Sequence, residues 1–210
     1  MESIVDLTHR IDGATLPYPG DPAPVFESAS QIDSDECRVT KATLATHTGT
    51  HVDAPAHVMS AGRSLTDYPL DAFFGTACLV DVRDCAGTVD ASVLEGISKC
   101  DWLLVCTGQS LKWGTSSYFR DGPVFTEAFV RRAAELVRKG IALDCSGFDV
   151  EGVRLHRIWF AATDALIVEN LADMEHLLGR TILRFAAFPM KIDAVDGAPV
   201  RALTELRIEE

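Results

Sequence analysis

Short apolar runs separated by a segment of helical pattern constrain the fold of this chain more than any other feature. Ala77–Val82, Trp102–Thr107 and Ile141–Asp144 are each too short for a buried helix and are bounded by turn residues, so they are predicted as buried strands. Strands that alternate with helices are typical of α/β proteins with a partly parallel sheet.

The helices that connect these strands are predicted from caps and periodicity. Asp90–Ser98 is predicted to form a helix with Asp90 as its N-cap. From Thr126, apolar residues recur with helical period and charges lie between them, so a helix is predicted to begin there. Gly140 is the expected stop of this helix, because glycine commonly ends helices.

The N-terminal part of the chain adds strands of antiparallel type. Ile4–Leu7 is predicted as a first strand, Pro17–Pro22 as a stiff loop, and Arg38–Val52 has the β-branched, alternating character of strands. No repeat, low-complexity tract or linker interrupts the sequence. The fold class is therefore predicted as α/β, with mixed parallel and antiparallel sheets in one domain over residues 1–210.

Composition excludes several classes of function. No apolar run is long enough to span a bilayer, and the first residues lack the basic and apolar blocks of a signal peptide. A net charge of −12 argues against nucleic-acid binding, which needs basic surface. The six cysteines form no CxxC pair, which favours reduced thiols in a cytoplasmic protein.

A cluster of histidines points to the chemistry. Three of the six histidines and an aspartate lie within eleven residues at odd-numbered positions, namely His47, His51, Asp53 and His57. On an extended strand these side chains would share one face, and Gly49 on that face would leave room for an ion or a substrate. A helix is the weaker interpretation, because Gly49, Pro55 and several β-branched residues disfavour it, so the motif is predicted as a strand that runs into a Pro-bounded turn. Imidazole and carboxylate groups suit zinc, manganese or ferrous iron, so we expect a metal-containing active site.

A second pair of candidate ligands lies downstream. His156 falls near a predicted helix end, and Glu169 directly follows the apolar strand Ala165–Val168, from which a carboxylate can project into a site. Either residue alone would be unremarkable. Together with the first cluster they could complete one or two coordination spheres, and Asp53 could bridge two ions.

Other residues carry weaker signals. His9 is expected to be structural, and His176 is expected at a solvent-exposed helical position. Trp113 and Tyr118–Phe119 lie in a loop, where they could equally line a pocket or pack within the loop. For Asp144 and Asp149 turn chemistry is the simpler expectation, although support of the site is conceivable.

These motifs resemble the metal-dependent cyclase family, which includes bacterial kynurenine formamidase and isatin hydrolase. The pattern HxGTHxDxPxH is matched by His47, Gly49, Thr50, His51, Asp53, Pro55 and His57. The resemblance covers nearly the whole chain, through the segments Asp6–His9, Tyr18–Asp21, Leu70–Gly75, His156, Glu169–Leu171, Pro189–Lys191 and Asp196–Arg201. The metal motif is highly specific for the family and much less specific for the substrate.

The resemblance assigns roles to individual residues. It implies that one ion is held by His47, His51 and Asp53, and a second by Asp53, His156 and Glu169. His57 matches the family's catalytic histidine, which moves protons. Tyr18 occupies a position where formamidases usually have a substrate-contacting tryptophan. The resemblance further implies a swivelling β/β/α fold, one or two divalent ions with zinc first and manganese as the other candidate, and a homodimer or homotetramer.

The expected activity is hydrolysis of a small molecule at the metal. A bound ion would lower the pKa of water from 15.7 toward about 7, and His57 would carry its proton to the leaving nitrogen. The resemblance favours an arylformamidase that converts N-formylkynurenine to kynurenine and formate in tryptophan degradation. A related hydrolase of another lactam, lactone or ester, and a metal-binding protein without turnover, are the alternatives.

Overall fold

The computed structural model describes residues 2–85 and 87–207, which contain one large sheet, two small ones and three α-helices. The strands are β1 (Glu2–Asp6), β2 (Val25–Ser30), β3 (Val39–Thr43), β4 (His51–Asp53), β5 (Phe74–Gly75), β6 (Ala77–Asp81), β7 (Thr88–Val89), β8 (Cys100–Cys106), β9 (Val124–Phe125), β10 (Val137–Leu143), β11 (Leu166–Glu169), β12 (Ile182–Pro189) and β13 (Gly197–Arg207). The helices are α1 (Ile32–Asp35), α2 (Glu127–Leu136) and α3 (Arg154–Ala162).

The large sheet has nine strands in the order β5-β12-β13-β4-β11-β10-β8-β6, and β1 pairs with β13. The pairs β6–β8, β8–β10 and β10–β11 are parallel, and the other pairs in this sheet are antiparallel. The sheet curls until its ends approach, so that the ring of Trp102 on β8 lies 5.1 Å from that of Phe185 on β12. The mixed α/β architecture is confirmed, as a nearly closed barrel, while the swivelling arrangement stays a prediction.

The strands bury both faces, as the short apolar runs predicted. On β8, Trp102 and Leu104 point into the barrel, and Leu103 and Val105 point outward. The outward residues pack against a layer that includes Phe129 of α2. This alternation of two buried faces explains why β8 reads as a continuous apolar run.

Helix α2 begins as predicted and ends earlier than predicted. The Thr126 hydroxyl accepts a hydrogen bond from the Phe129 amide at 3.1 Å, which confirms the N-cap. The helix ends at Leu136, and β10 begins at the next residue, so Gly140 lies within a strand and does not stop the helix. A Cβ atom at Gly140 would lie 2.3 Å from the Trp102 ring, so this glycine is explained by the close approach of two strands.

The helix predicted over Asp90–Ser98 is wrong. Only Ala91–Leu94 forms a 3-10 helix, and the Asp90 side chain makes no cap hydrogen bond to it. Instead Asp90 accepts a hydrogen bond from the Thr126 hydroxyl at 2.8 Å, which ties the segment to the start of α2. The tertiary contact replaces the local one that the sequence suggested.

Residues 25–43, comprising β2, α1 and β3, form a projecting hairpin that we call the arm. Strands β2 and β3 pair only with each other, and every residue of the arm is exposed except the half-buried Ser30. The preceding loop, Pro17–Pro22, contains no helix or strand, as predicted. Among the helices of the described residues, none has the length and hydropathy needed to cross a membrane.

Candidate metal centre

The strand expected in the histidine motif is shorter than predicted, whereas the Pro-bounded turn that follows it is present as expected. Only His51–Asp53 is a strand, and Gly49 has a left-handed φ of 68° that turns the chain between His47 and His51. His57 ends a 3-10 helix that begins at Pro55. The four predicted side chains nevertheless line one cavity of about 210 Å³, because turns on both sides of the short strand fold them inward.

The first group of candidate ligands surrounds one oxygen of Asp53. His47 Nδ1 lies 2.8 Å from Asp53 Oδ1, and His51 Nε2 lies 3.3 Å from the same oxygen. The candidate ligand atoms of these three residues all lie within 4.8 Å of one another. Asp53 and His51 are almost completely buried, which suits a site that holds an ion away from solvent.

The second group lies on the other side of Asp53. β11 pairs with β4 so that Glu169 is opposite His51, and α3 brings His156 to the same place. His156 Nε2 lies 2.9 Å from Glu169 Oε1 and 3.9 Å from Asp53 Oδ2. The structure thus brings together the two sets named from the sequence, and the two oxygens of Asp53 face different sets. Their role as ligands stays a prediction.

Each of the three histidines in these sets has its other ring nitrogen held by an acceptor. His47 Nε2 lies 3.0 Å from Asp196 Oδ2, and His156 Nδ1 lies 2.7 Å from Asp149 Oδ2. His51 Nδ1 lies 2.8 Å from the Gly49 carbonyl oxygen. Metal-bound histidines are commonly oriented by such partners, which fix the ring and its tautomer.

Buried opposite charges dominate the electrostatics of the centre. Burial disfavours protonation of His47, but the carboxylates of Asp53 and Asp196 outweigh it and raise its pKa to about 10. Burial likewise opposes protonation of His156, whereas Asp149 and Glu169 raise its pKa to about 10. For Asp53, burial would raise the pKa, and the neighbouring imidazoles hold it well below its usual value. In the absence of a metal, protons therefore supply the positive charge.

Close packing around the second group of candidate ligands requires a glycine at position 147. Gly147 has a φ of 80°, and a Cβ atom there would lie 2.1 Å from Glu169 Oε1 and 2.8 Å from the His156 ring. Any side chain at this position would displace both groups. Imidazole nitrogens and carboxylate oxygens at such spacing are a donor set that zinc and manganese accept.

His57 lies beside the first group and is the most exposed of the four histidines that line the cavity. Its ring centroid is 4.0 Å from that of His47 and 6.2 Å from that of His156. His57 Nδ1 lies 3.4 Å from Asp196 Oδ2, which leaves Nε2 without this partner. His47, His57 and Asp196 form a third set of possible ligands, so the position alone is compatible with proton transfer and with metal binding.

Aromatic side chains form one wall of the cavity. Tyr18 contacts Phe119 edge-on, with ring centroids 5.7 Å apart, and both line the cavity with Trp113. His9 stacks on Trp113 with centroids 4.1 Å apart, so it supports the wall, in keeping with its expected structural role. His176 is exposed, as predicted.

Sequence reasoning gave no role to Asp196 and treated Asp149 as turn chemistry. Asp196 lies 149 residues from the histidine that it holds, so no local spacing could reveal it. Its place in the C-terminal segment Asp196–Arg201 was the available signal. Asp149 supports the site directly, whereas Asp144 does not contact it and accepts hydrogen bonds from Thr107, Gly108 and Ser110.

Comparison with known proteins places this geometry in a family. The family model described as "Putative cyclase" matches residues 5–150. The kynurenine formamidase of Salinibacter ruber is 30% identical over 212 aligned positions, which cover 96% of each chain. That of Bacillus cytotoxicus is 29% identical and covers 95% of each chain.

Solved structures share the fold. Isatin hydrolase A from Labrenzia aggregata, solved bound to benzyl benzoate, superposes with a TM-score of 0.83 at 23% identity over 97% of this chain and 93% of that one. A structure titled as a potential metal-dependent hydrolase with cyclase activity has a TM-score of 0.79 at 24% identity and covers both chains completely. The family model covers more than half of the chain, and the relatives and the fold agree with it over nearly the whole sequence. The chain belongs to the cyclase family.

Proposed function

We propose that the protein is a metal-dependent hydrolase that cleaves the C–N bond of an aryl formamide, with N-formylkynurenine as the candidate substrate. The observation that carries this proposal is a pair of ligand sets that share Asp53, with His57 beside them in one cavity. The similarity to kynurenine formamidases over 96% of the chain supports the choice of an acyclic formamide.

The residues divide the work of holding metal. His47, His51 and Asp53 would hold one ion, and Asp53, His156 and Glu169 a second, with zinc as the first candidate metal and manganese as the other. A bound divalent ion would polarise the scissile carbonyl and lower the pKa of a water molecule toward neutrality. Asp196, Gly49 and Asp149 keep the three imidazoles aimed at these positions.

His57 is the proposed proton carrier. Asp196 lies on its Nδ1 side, so Nε2 can take the proton of the attacking water and then give it to the nitrogen that leaves. An aniline nitrogen leaves more readily than an alkylamine, so modest acid assistance is enough. The aromatic wall of Tyr18, Trp113 and Phe119 would hold the aryl ring, since flat apolar rings pack against one another.

A cyclic lactam of the isatin type is the second candidate substrate. The observation in its favour is the similarity of the fold to isatin hydrolase A, with a TM-score of 0.83. Tyr18 stands where formamidases usually have a tryptophan, and this difference is compatible with an aryl substrate other than N-formylkynurenine. Both reactions use the same ligands and the same proton carrier, and they differ in the group that leaves.

A panel assay tests the proposal. The protein is stripped of metal, reloaded with zinc or manganese, and assayed with N-formylkynurenine, isatin and a simple aryl ester. Efficient release of formate supports the first proposal, and preference for isatin favours the second. Absence of all turnover in a metal-loaded protein would indicate a metal-binding protein without hydrolase activity. The exposed variant His176→Ala is the control, because it removes a histidine outside the cavity.

We also propose that the protein is a cytoplasmic homodimer or homotetramer. All six cysteines, which lie within the described residues, are free thiols, in keeping with a reducing compartment. The arm supports self-association, because its apolar residues Val25, Phe26, Ile32 and Val39 are 40–60% exposed. A two-stranded hairpin is marginally stable by itself in water, so a second copy that covers the arm would stabilise it.

A further inference from the structure

His51 differs from the other two candidate ligand histidines in how its outer nitrogen is held. Carboxylates hold His47 and His156, whereas His51 Nδ1 faces the Gly49 carbonyl oxygen at 2.8 Å. A carbonyl oxygen can only accept, so Nδ1 carries a proton and Nε2 is the nitrogen left for an ion. The orientation of His51 therefore depends on the position of one main-chain oxygen in a turn.

Asn170 fixes that oxygen. Its side-chain nitrogen donates to the Gly49 oxygen at 2.8 Å, so this oxygen accepts from both Asn170 and His51. Only the side-chain nitrogen of Asn170 can donate to the Gly49 oxygen, so the side-chain oxygen, Oδ1, points away from Gly49. Asn170 is 4% exposed, and its main-chain carbonyl oxygen accepts a hydrogen bond from the Thr50 hydroxyl at 2.6 Å.

Tyr118 completes the chain of hydrogen bonds. Its hydroxyl donates to Asn170 Oδ1 at 2.8 Å. Burial, with Cys145 and Asp144 nearby, raises the pKa of Tyr118 well above its usual value, so the hydroxyl keeps its proton and remains a donor. The Tyr118 ring packs edge-on against Trp113 and Phe119, with centroids 4.9 Å and 5.0 Å apart, behind the aromatic wall.

We propose that Tyr118 and Asn170 are positioning residues that orient His51 as a metal ligand through the Gly49 carbonyl. The inference rests on the metal site of the proposed function. Loss of either hydrogen bond frees the Gly49 carbonyl to move, so the His51 ring is held less firmly and the ion is bound less tightly. Outer partners of this kind typically affect metal affinity by about tenfold to a hundredfold.

Three variants and a matched control test the chain of hydrogen bonds from Tyr118 through Asn170 and the Gly49 carbonyl to His51, which we call the relay. Tyr118→Phe removes only the hydroxyl and keeps the ring behind the wall. Asn170→Gly removes the amide and tolerates the left-handed φ of 58°, whereas Asn170→Asp keeps an acceptor for Tyr118 and loses the donor to Gly49. Tyr68→Phe is the control, since Tyr68 donates to the Asp164 carbonyl at 2.7 Å outside the metal centre.

Zinc affinity, measured by competition with a chelator, is the main readout. We expect Asn170→Gly and Asn170→Asp to bind zinc at least about tenfold more weakly, Tyr118→Phe to show a smaller loss, and Tyr68→Phe to match wild type. Proton NMR of the zinc-loaded proteins should show faster exchange of the His51 Nδ1 proton in the first three only.

Two results would overturn the relay. One is zinc affinity and His51 exchange unchanged in all three variants while their metal-free melting temperatures fall, which would make the network structural. The other is a wild-type protein that binds neither zinc nor manganese, which would remove the proposed function as well. A protein that binds zinc and hydrolyses no amide would contradict the proposed function alone, since the affinities still test the relay.

Discussion

The metal centre and the arm differ in how many contacts their side chains make within the chain. Those of the centre are buried and paired, whereas those of the arm are exposed. In the centre, His51, Asp53, His156 and Glu169 are at most 7% exposed, and their polar atoms lie 2.7–3.9 Å from partners within the chain. In the arm, β2 and β3 pair only with each other. Ion pairs there, such as Lys41 with Glu27 at 2.9 Å, are exposed and worth little.

This contrast indicates what each region needs from outside. The centre gathers the buried carboxylates of Asp53 and Glu169 with three imidazoles, and this donor set is why we propose a divalent cation as its ligand. The arm holds exposed apolar side chains on a hairpin too small to be stable alone, and this is why we propose that a second copy of the chain covers it. Metal removal should therefore affect the centre and leave the arm unchanged, and loss of self-association should do the reverse.

The largest effect is expected from Asp53→Asn, because this residue is shared by both ligand sets. The amide keeps the size of the carboxylate and loses its charge. Metal content should fall at both positions, and kcat/KM should fall by on the order of 10³-fold or more. Elemental analysis and the hydrolase assay measure the two effects. Full metal occupancy in this variant would contradict a bridging aspartate.

A nearly equal loss of turnover is expected from His57→Ala, but without loss of metal. General acid–base catalysis typically contributes about 10²–10⁴-fold, so kcat should fall by that order. Metal content should stay at the wild-type level, and the exposed variant His176→Ala should change neither quantity. If His57→Ala loses metal instead, the set formed by His47, His57 and Asp196 holds an ion and the proton-carrier role is wrong.

How much of the site could be predicted follows from the range of its contacts. Five of the six candidate ligand and catalytic side chains were identified because they lie in a short motif or beside a strand end, and the sixth, His156, by its pairing with Glu169 and the family resemblance. Their outer partners were not, since Asp196 and Asn170 lie 149 and 121 residues from the groups that they contact. Local spacing carries no signal for such contacts.

The fold shows the same limit. Buried strands such as β8 and the Thr126 cap depend on local pattern and were predicted. The strand expected before the Pro55 turn is limited to His51–Asp53 because Gly49 adopts a turn conformation, and the stop expected at Gly140 failed because that glycine accommodates Trp102. Strand β2 was not predicted, because its residues have no buried face to give an alternating pattern.

An intermediate effect, confined to assembly, is expected in the arm. Phe26→Asp combined with Ile32→Asp places charges on its exposed apolar face and should convert the proposed dimer or tetramer to monomers. Light scattering after size-exclusion chromatography measures the mass, and elemental analysis should show unchanged metal. Leu111→Asp, a substitution at an apolar residue 73% exposed outside the arm, is the control. A wild-type protein that is already monomeric would contradict the proposal.

The smallest effect is expected at His9, which stacks on Trp113 of the cavity wall, and it concerns the pH dependence of stability. Burial lowers the pKa of His9 to about 4, although the Asp173 carboxylate opposes the shift. The unfolded chain, with a histidine pKa of about 6.5, therefore binds a proton more tightly than the fold does. The stability that neutral His9 provides is complete above about pH 6.5 and is lost as the pH falls toward 4.

Thermal unfolding of the metal-free protein between these pH values isolates this contribution. His9→Gln should lose less stability on acidification than wild type, because it has no proton to bind. The exposed His176→Gln should retain the wild-type pH dependence. The carboxylates and histidines of the metal centre titrate in all three proteins and cancel in the comparison. If His9→Gln and wild type are equally sensitive to acid, the stack of His9 on Trp113 opens before His9 is protonated. The cavity wall would then be less rigid than the ligand sets behind it.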